Sequence, residues 1–168
     1  MPSLNIPALS VHPSYSQSSM IQQSHPPLKV KRLRAGARLP QRATKGSSGL
    51  DLFACLEAPG YLDLGPDPAL VPTGITLEAP AGYDVQVRPR SGLSARGLGV
   101  AFGTIDSDYR GEVLVTMYTF GSRRRFRIHD GDRIAQLVVA RLADLSIEEV
   151  EELTSTARGP GGHGSTGS

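Results

Sequence analysis

From Leu28 onward apolar and polar residues exchange places over short stretches, with the period of strands rather than helices. Tyr83, Val85 and Val87 alternate with Asp84, Gln86 and Arg88, and Val113, Val115 and Met117 alternate with Leu114, Thr116 and Tyr118. The second of these is apolar or aromatic at most positions, which predicts that both of its faces are covered. Phe126 and Ile128 alternate with Arg125, Arg127 and His129, and Ile134 to Ala140 is apolar throughout except at Gln136. Turn signals lie between these runs: Ala58-Pro59-Gly60, Val71-Pro72-Thr73-Gly74, Ala79-Pro80-Ala81-Gly82 and Asp130-Gly131-Asp132. Many short strands at regular spacing predict an all-β sandwich or barrel. Only Ser146 to Leu153 has helical propensity, and its eight residues are few enough for tertiary context to overrule.

Residues 1–27 break this pattern. They are rich in Ser, Gln, Pro and His with no sustained apolar period, which predicts a disordered N-terminal tail. A transit peptide shares the Ser content and the lack of acids but carries Arg, whereas the first basic residue here is Lys29. Met20 is an alternative start. The whole 168-residue chain, 39% apolar and without Trp, suits one modest core. A net charge of +2 does not indicate a nucleic-acid binder, although every charged residue before Asp51 is basic. Cys55 is the sole cysteine, so no intrachain disulfide forms and an intracellular, cytoplasmic setting is expected. No apolar run approaches the ~20 residues that span a bilayer, and no membrane association is expected.

Several apparent motifs fail on context. Gly159-x-Gly161-x-x-Gly164 has the letters of a dinucleotide fingerprint but no helix after it. Asp106-x-Asp108 with Gly111 starts like a calcium loop, yet Met117 stands where the bidentate Glu belongs. His12, His25, His129 and His163 lack zinc-ligand spacing. Arg123 to Arg127 is read as a solvated hairpin tip, with no stable nucleic-acid binding expected.

Five blocks remain. They are Ser48-Gly49-Leu50-Asp51-Leu52-Phe53-Ala54, Arg88-Pro89-Arg90-Ser91-Gly92-Leu93, the stretch Gly103-Thr104-Ile105-Asp106-Ser107-Asp108-Tyr109-Arg110-Gly111, then Gly131-Asp132-Arg133-Ile134-Ala135-Gln136-Leu137, and the glycine-rich end from Arg158 to Gly167. In this order the blocks resemble those of the trimeric dUTP pyrophosphatase (dUTPase) family, over residues 48 to 167. The resemblance implies an all-β, distorted jelly-roll (β-clip barrel) domain over residues 28–157 and a flexible C-terminal arm over 158–168 that closes over the active site. It implies hydrolysis of dUTP to dUMP and pyrophosphate by in-line attack of water on the α-phosphorus, which supplies dUMP for thymidylate synthesis and keeps uracil out of DNA.

The resemblance also distributes roles. Asp106 matches the residue that orients and deprotonates the water; Asp108, two residues on and expected on the same strand face, reads as a structural hydrogen-bonder. Asp51 matches the acid that holds Mg²⁺ through water, an arrangement suited to an ion that keeps its hydration shell. Arg90, Ser91, Gly92, Gln136, Arg158, Ser165 and Thr166 match phosphate-binding positions, with Pro89 starting a turn or short helix whose amides face phosphate. Arg133 reads either as a ligand contact or as a structural ion pair. Val100, Gly103, Thr104, Ile105, Tyr109 and His163 match positions around uracil and deoxyribose, where a hairpin backbone from Gly99 to Gly103 reads the base and the Tyr109 ring packs on the sugar. A homotrimer with three shared sites is implied.

Two positions depart from the family pattern. Many members have Asn where Val100 stands, and most have Phe at the place of His163, which gives the covering ring a titratable group. Two other classes stay open: the dCTP deaminase branch of the same fold, for which Glu112 is the sole nearby Glu, and a nucleotide-binding regulator without turnover.

Overall fold

The computed structural model describes residues 26–58 and 60–160. Eleven strands and one turn of helix form a distorted jelly roll. In chain order they are β1 (Lys29–Arg32), β2 (Leu50–Phe53), β3 (Tyr61–Leu64), β4 (Ala69–Pro72), β5 (Ile75–Glu78), β6 (Tyr83–Arg88), α1 (Ser91–Ser94), β7 (Leu98–Val100), β8 (Gly103–Ile105), β9 (Leu114–Thr119), β10 (Phe126–His129) and β11 (Arg133–Arg141). All pairing is antiparallel, in four sheets: β1-β5, β10-β3, β2-β11-β6-β8 and β4-β9-β7.

The alternation read from the sequence becomes burial. Val85 and Val87 of β6, Val115 and Met117 of β9, and Ile134 and Leu137 of β11 meet in one core with Leu52, Leu64 and Ile75. The turns between strands carry glycines at positive φ, including Gly74 at +69°, Gly82 at +79° and Gly131 at +77°. At Gly74 space matters as well as φ: a Cβ would lie 2.7 Å from Cys55 Sγ and 2.8 Å from Ala37 Cβ.

Four expectations are corrected. Ser146 to Leu153 forms no helix; residues 142–150 lie outside regular structure, with Leu145, Ile147 and Leu153 exposed. Glu148, Glu149, Glu151 and Glu152 repel one another at helical i,i+3 and i,i+4 spacing, and the segment has no base to offset them. β9 buries one face fully and the other in part: Leu114 is exposed, Thr116 and Tyr118 are half-buried, and Tyr118 packs over Gly99. Arg123 to Arg127 is no hairpin tip, because β10 pairs with β3 rather than β9. Arg123 and, from outside the stretch, Arg96 lie over the Phe126 ring at 5.5 and 4.9 Å, and Arg127 forms a forked pair with Asp63. Asp108 lies in a turn, not on a strand face with Asp106. The N-terminal residues 1–25 fall outside the described residues.

Candidate active site

The central sheet β2-β11-β6-β8 carries candidate chemistry at both of its lateral ends. At one end, register sets Asp51 of β2 and Arg88 of β6 on either side of Gln136 of β11. A register shift between Arg133 and Ala135 re-aims Arg133, whose Nη1 lies 3.2 Å from Asp51 Oδ2. Arg90 Nε stands 3.0 Å from Asp51 Oδ1, and its Nη1 donates to the Arg133 carbonyl at 2.9 Å. Gln136 Nε2 donates to the Pro89 carbonyl at 2.8 Å, which gives the amide that interrupts an apolar run its partner. Gly49 makes room for it: a Cβ there would fall 2.2 Å from Gln136 Oε1.

Pro89 leads into α1, where the Arg90 carbonyl accepts the Leu93 and Ser94 amides, both at 3.0 Å. The Ser91 and Gly92 amides precede those in the first turn of α1. Open cavities flank it: one of about 480 Å³ lined by Arg38, Arg42, Asp51 and Arg133, and one of about 410 Å³ lined by Arg90, Arg96, Arg127 and Arg133. Arg38 and Arg42 join this site from the acid-free run before Asp51, whose charge is their signal in the sequence. Among the described residues no three His, Cys, Asp or Glu side chains converge to cage a metal. One carboxylate, Asp51, amid guanidinium groups fits a hydrated hard cation that takes most of its ligands from phosphate.

At the other end β8 is the sheet edge, paired to β6 through Val85↔Ile105 and Val87↔Gly103. Its outer side opens on a cleft of about 190 Å³ lined by Thr104, Ile105, Asp106, Tyr109 and Glu112. Asp106 is exposed, and its carbonyl accepts the Tyr109 amide at 3.1 Å to close a turn. Arg110 Nη1 braces that turn from the Ser107 and Tyr109 carbonyls, at 2.7 and 2.9 Å. β7 and β8 belong to different sheets, so Gly99 to Gly103 is a crossover and not a paired hairpin. Val100, 4% exposed, turns its side chain into the core.

Three strand steps and three residues of rise separate the Asp51 and Ile105 backbones, about 17 Å by ordinary strand spacing. Within one chain the two ends therefore do not meet. Arg158 lies beyond the last strand in a turn where the Gly159 amide donates to the Thr156 carbonyl at 3.1 Å. His163, Ser165 and Thr166 lie outside the described residues. Glu112 lines the β8 cleft but is committed to Arg34, whose guanidinium holds its carboxyl below the usual glutamate range. That pairing removes the residue a deaminase would need as a free acid.

An open strand edge beside an exposed carboxylate, with guanidinium groups at the far side of the same sheet, defines a β-barrel nucleotide-binding protein equipped for phosphate chemistry. Its family model is explicit: the dUTPase model matches residues 35–167, and the chain belongs to that family. It is 51% identical over 132 residues to a deoxyuridine 5'-triphosphate nucleotidohydrolase of Desulfotalea psychrophila, covering 77% of this chain and 87% of that one. An Anaplasma marginale protein of the same name is 49% identical over 147 residues, 83% of this chain and 99% of that one. Among solved structures, a Staphylococcus phage 80alpha dUTPase mutant bound to dUpNHpp superposes with a TM-score of 0.73 at 28% identity, over 84% and 99% of the two chains. A phage phi11 dUTPase mutant, whose structure describes coordination of a structural Mg(II) ion, superposes with a TM-score of 0.66 at 25% identity, over 76% and 98%. No helix among the described residues is long and apolar enough to cross a membrane.

Proposed function

We propose that this protein hydrolyses dUTP to dUMP and pyrophosphate, supplying dUMP for thymidylate synthesis and keeping uracil out of DNA. One observation carries the reading: a free β8 edge with Asp106 and a guanidinium cluster around Asp51 share one sheet, in a chain about half identical to dUTP nucleotidohydrolases. Uracil lies along Gly103, Thr104 and Ile105 and near the Val100 backbone, taking strand-like hydrogen bonds. Cytosine presents the wrong donors there, a defect that costs ~10⁴–10⁵ in discrimination. Tyr109 supports deoxyribose and leaves no room for a 2′-hydroxyl. Asp106 accepts the proton of a water that attacks the α-phosphorus in line. The bond from that phosphorus to the α,β-bridging oxygen breaks, and pyrophosphate leaves with the electron pair.

Arg90, the Ser91 hydroxyl and amide, the Gly92 amide and Gln136 hold the triphosphate, with Arg158, Ser165 and Thr166 on its outer side. Asp51 would hold Mg²⁺ through water, and the ion would supply positive charge against the triphosphate. His163 covers the base as the 158–168 arm closes on the 28–157 domain and excludes bulk water. The active unit is a homotrimer, each site drawing on the Asp51, Arg90 and Gln136 region of one subunit, the Asp106 turn of a second and the arm of a third. The separation of about 17 Å between the two ends of the sheet supports sharing. The buried free thiol of Cys55 suits a reducing cytoplasm.

The test is release of pyrophosphate and ammonia by the purified protein with Mg²⁺ and dUTP, dCTP, dTTP or UTP, beside Asp106→Asn. Pyrophosphate from dUTP alone, lost in the variant, is the expected result. Ammonia, or no product, rejects the reading.

A further inference from the structure

The turn bearing Asp106 and Tyr109 is anchored by groups that the reaction does not consume. Glu112 follows Gly111, and its side chain is 18% exposed. Its carboxylate accepts Arg34 Nη1 at 2.6 Å and Nη2 at 2.7 Å, and Oε1 also accepts the Gly74 amide at 2.7 Å. A forked guanidinium–carboxylate pair fixes direction as well as distance. The neighbouring backbone is pinned to the same strand, β5, and the turn before it. Val113 N–H donates to the Ile75 carbonyl at 2.9 Å, Thr73 Oγ1 to the Val113 carbonyl at 2.6 Å, and Thr76 Oγ1 to the Arg110 carbonyl at 2.9 Å.

Tyr109 leans on this anchored segment. Its hydroxyl donates to the Glu112 carbonyl at 3.1 Å, and its ring lies on Gly111, where a Cβ would approach Tyr109 Oη to 2.2 Å. The peptide that supports the ring therefore belongs to the residue whose side chain Arg34 grips. A steric filter discriminates only while its wall is held in place, because a shift of about a methyl radius would admit the extra hydroxyl.

We propose that Glu112, clamped by Arg34 and the Gly74 amide, is the positioning residue for Tyr109 and sets how strongly deoxyribose is preferred over ribose. The assignment rests on the dUTP reading above and adds a determinant of its sugar specificity. Arg34 acts at one remove: it pairs with Glu112, whose carbonyl holds the Tyr109 hydroxyl, and its Nε also stands 3.9 Å from Glu57.

The test is the ratio of kcat/KM for dUTP to that for UTP, taken on one preparation so that any loss of folded protein cancels. Arg34→Met removes both donors and keeps an unbranched stem; the ratio is expected to fall about tenfold, the size of one charge-assisted hydrogen bond. Glu112→Gln, a milder change, lowers it less, and Arg34→Lys recovers part of the loss because one ammonium cannot span both oxygens. A wild-type ratio in Arg34→Met overturns the proposal. Amide hydrogen exchange without substrate decides independently of turnover. Faster exchange in residues 106–111 of Arg34→Met, with β2 and β11 unchanged, supports the clamp. Unchanged exchange in the turn, or equal acceleration everywhere, overturns it. Absence of pyrophosphate release by the wild type would instead reject the dUTP reading.

Discussion

The two ends of the central sheet are built in opposite ways. At the Asp51 end the charged groups already satisfy one another: Asp51 holds Arg90 and Arg133, and Gln136 is tied to Pro89. Adjacent strands deliver these residues by register, so the end is assembled once the sheet pairs. At the Asp106 end the carboxylate stands exposed on a turn beside an unpaired strand edge, and its supports lie behind it at Arg110 and Glu112. Under the proposed function, the difference separates a half that binds from a half that reacts. The first can be prebuilt because phosphate displaces one counter-charge with another; the second must stay open for water and base.

The sharpest way to break the comparison is Asp106→Asn. If the open end supplies chemistry alone, kcat falls about 10²–10⁴-fold while affinity for a non-hydrolysable dUTP analogue is kept, as steady-state kinetics and calorimetry would read. Equal loss of binding would make Asp106 part of the binding half. Next comes Asp51→Asn, which leaves Arg90 and Arg133 facing each other with no counter-charge. Folding stability should drop by about 1–3 kcal/mol in denaturant titrations, with KM for Mg·dUTP raised and the pH dependence of kcat retained. Gly49→Ala is smaller still. Its Cβ would displace Gln136 Oε1, so overpacking of about 1–3 kcal/mol and a raised KM are expected with kcat close to wild type. A kcat effect there would mean that the two ends are coupled through the sheet.

Much of this arrangement was legible in the residues. Period-2 alternation marked β6, β9 and β10, because a half-covered strand must alternate, and a nearly continuous apolar run marked β11. The glycines at 74, 82 and 131 marked turns because positive φ selects them. Gln136 stood out because a polar residue in an apolar run needs a partner, here Pro89. What stayed hidden depends on pairing between distant segments. Nothing local says that Arg34 grips Glu112, 78 residues away, or that Arg133 is swung onto Asp51 by a register shift. The helix expected at Ser146 to Leu153 does not form, because repulsion among its glutamates opposes the propensity of its residues. β4, Ala69–Pro72, contains no polar residue, so it offers no alternation to read.

The smallest effect tests how the open end is held. The forked bond from Arg34, helped by the Gly74 amide and opposed by burial, lowers the folded pKa of Glu112 below its unfolded value of about 4.3. Between those two values the folded state binds fewer protons than the unfolded one. The clamp's contribution is therefore complete above the unfolded pKa and is lost as pH falls through the folded one. Glu112→Gln cannot titrate, so the gap in Tm between wild type and variant should stay constant near neutrality and narrow below about pH 4.3. The narrowing should come with loss of amide protection in residues 106–111 ahead of β2 and β11. A gap that stays constant into acid would mean that the clamp works by shape. The open end would then be held by Thr73 and Thr76 through neutral hydrogen bonds, and ion pairing would distinguish the Asp51 end alone.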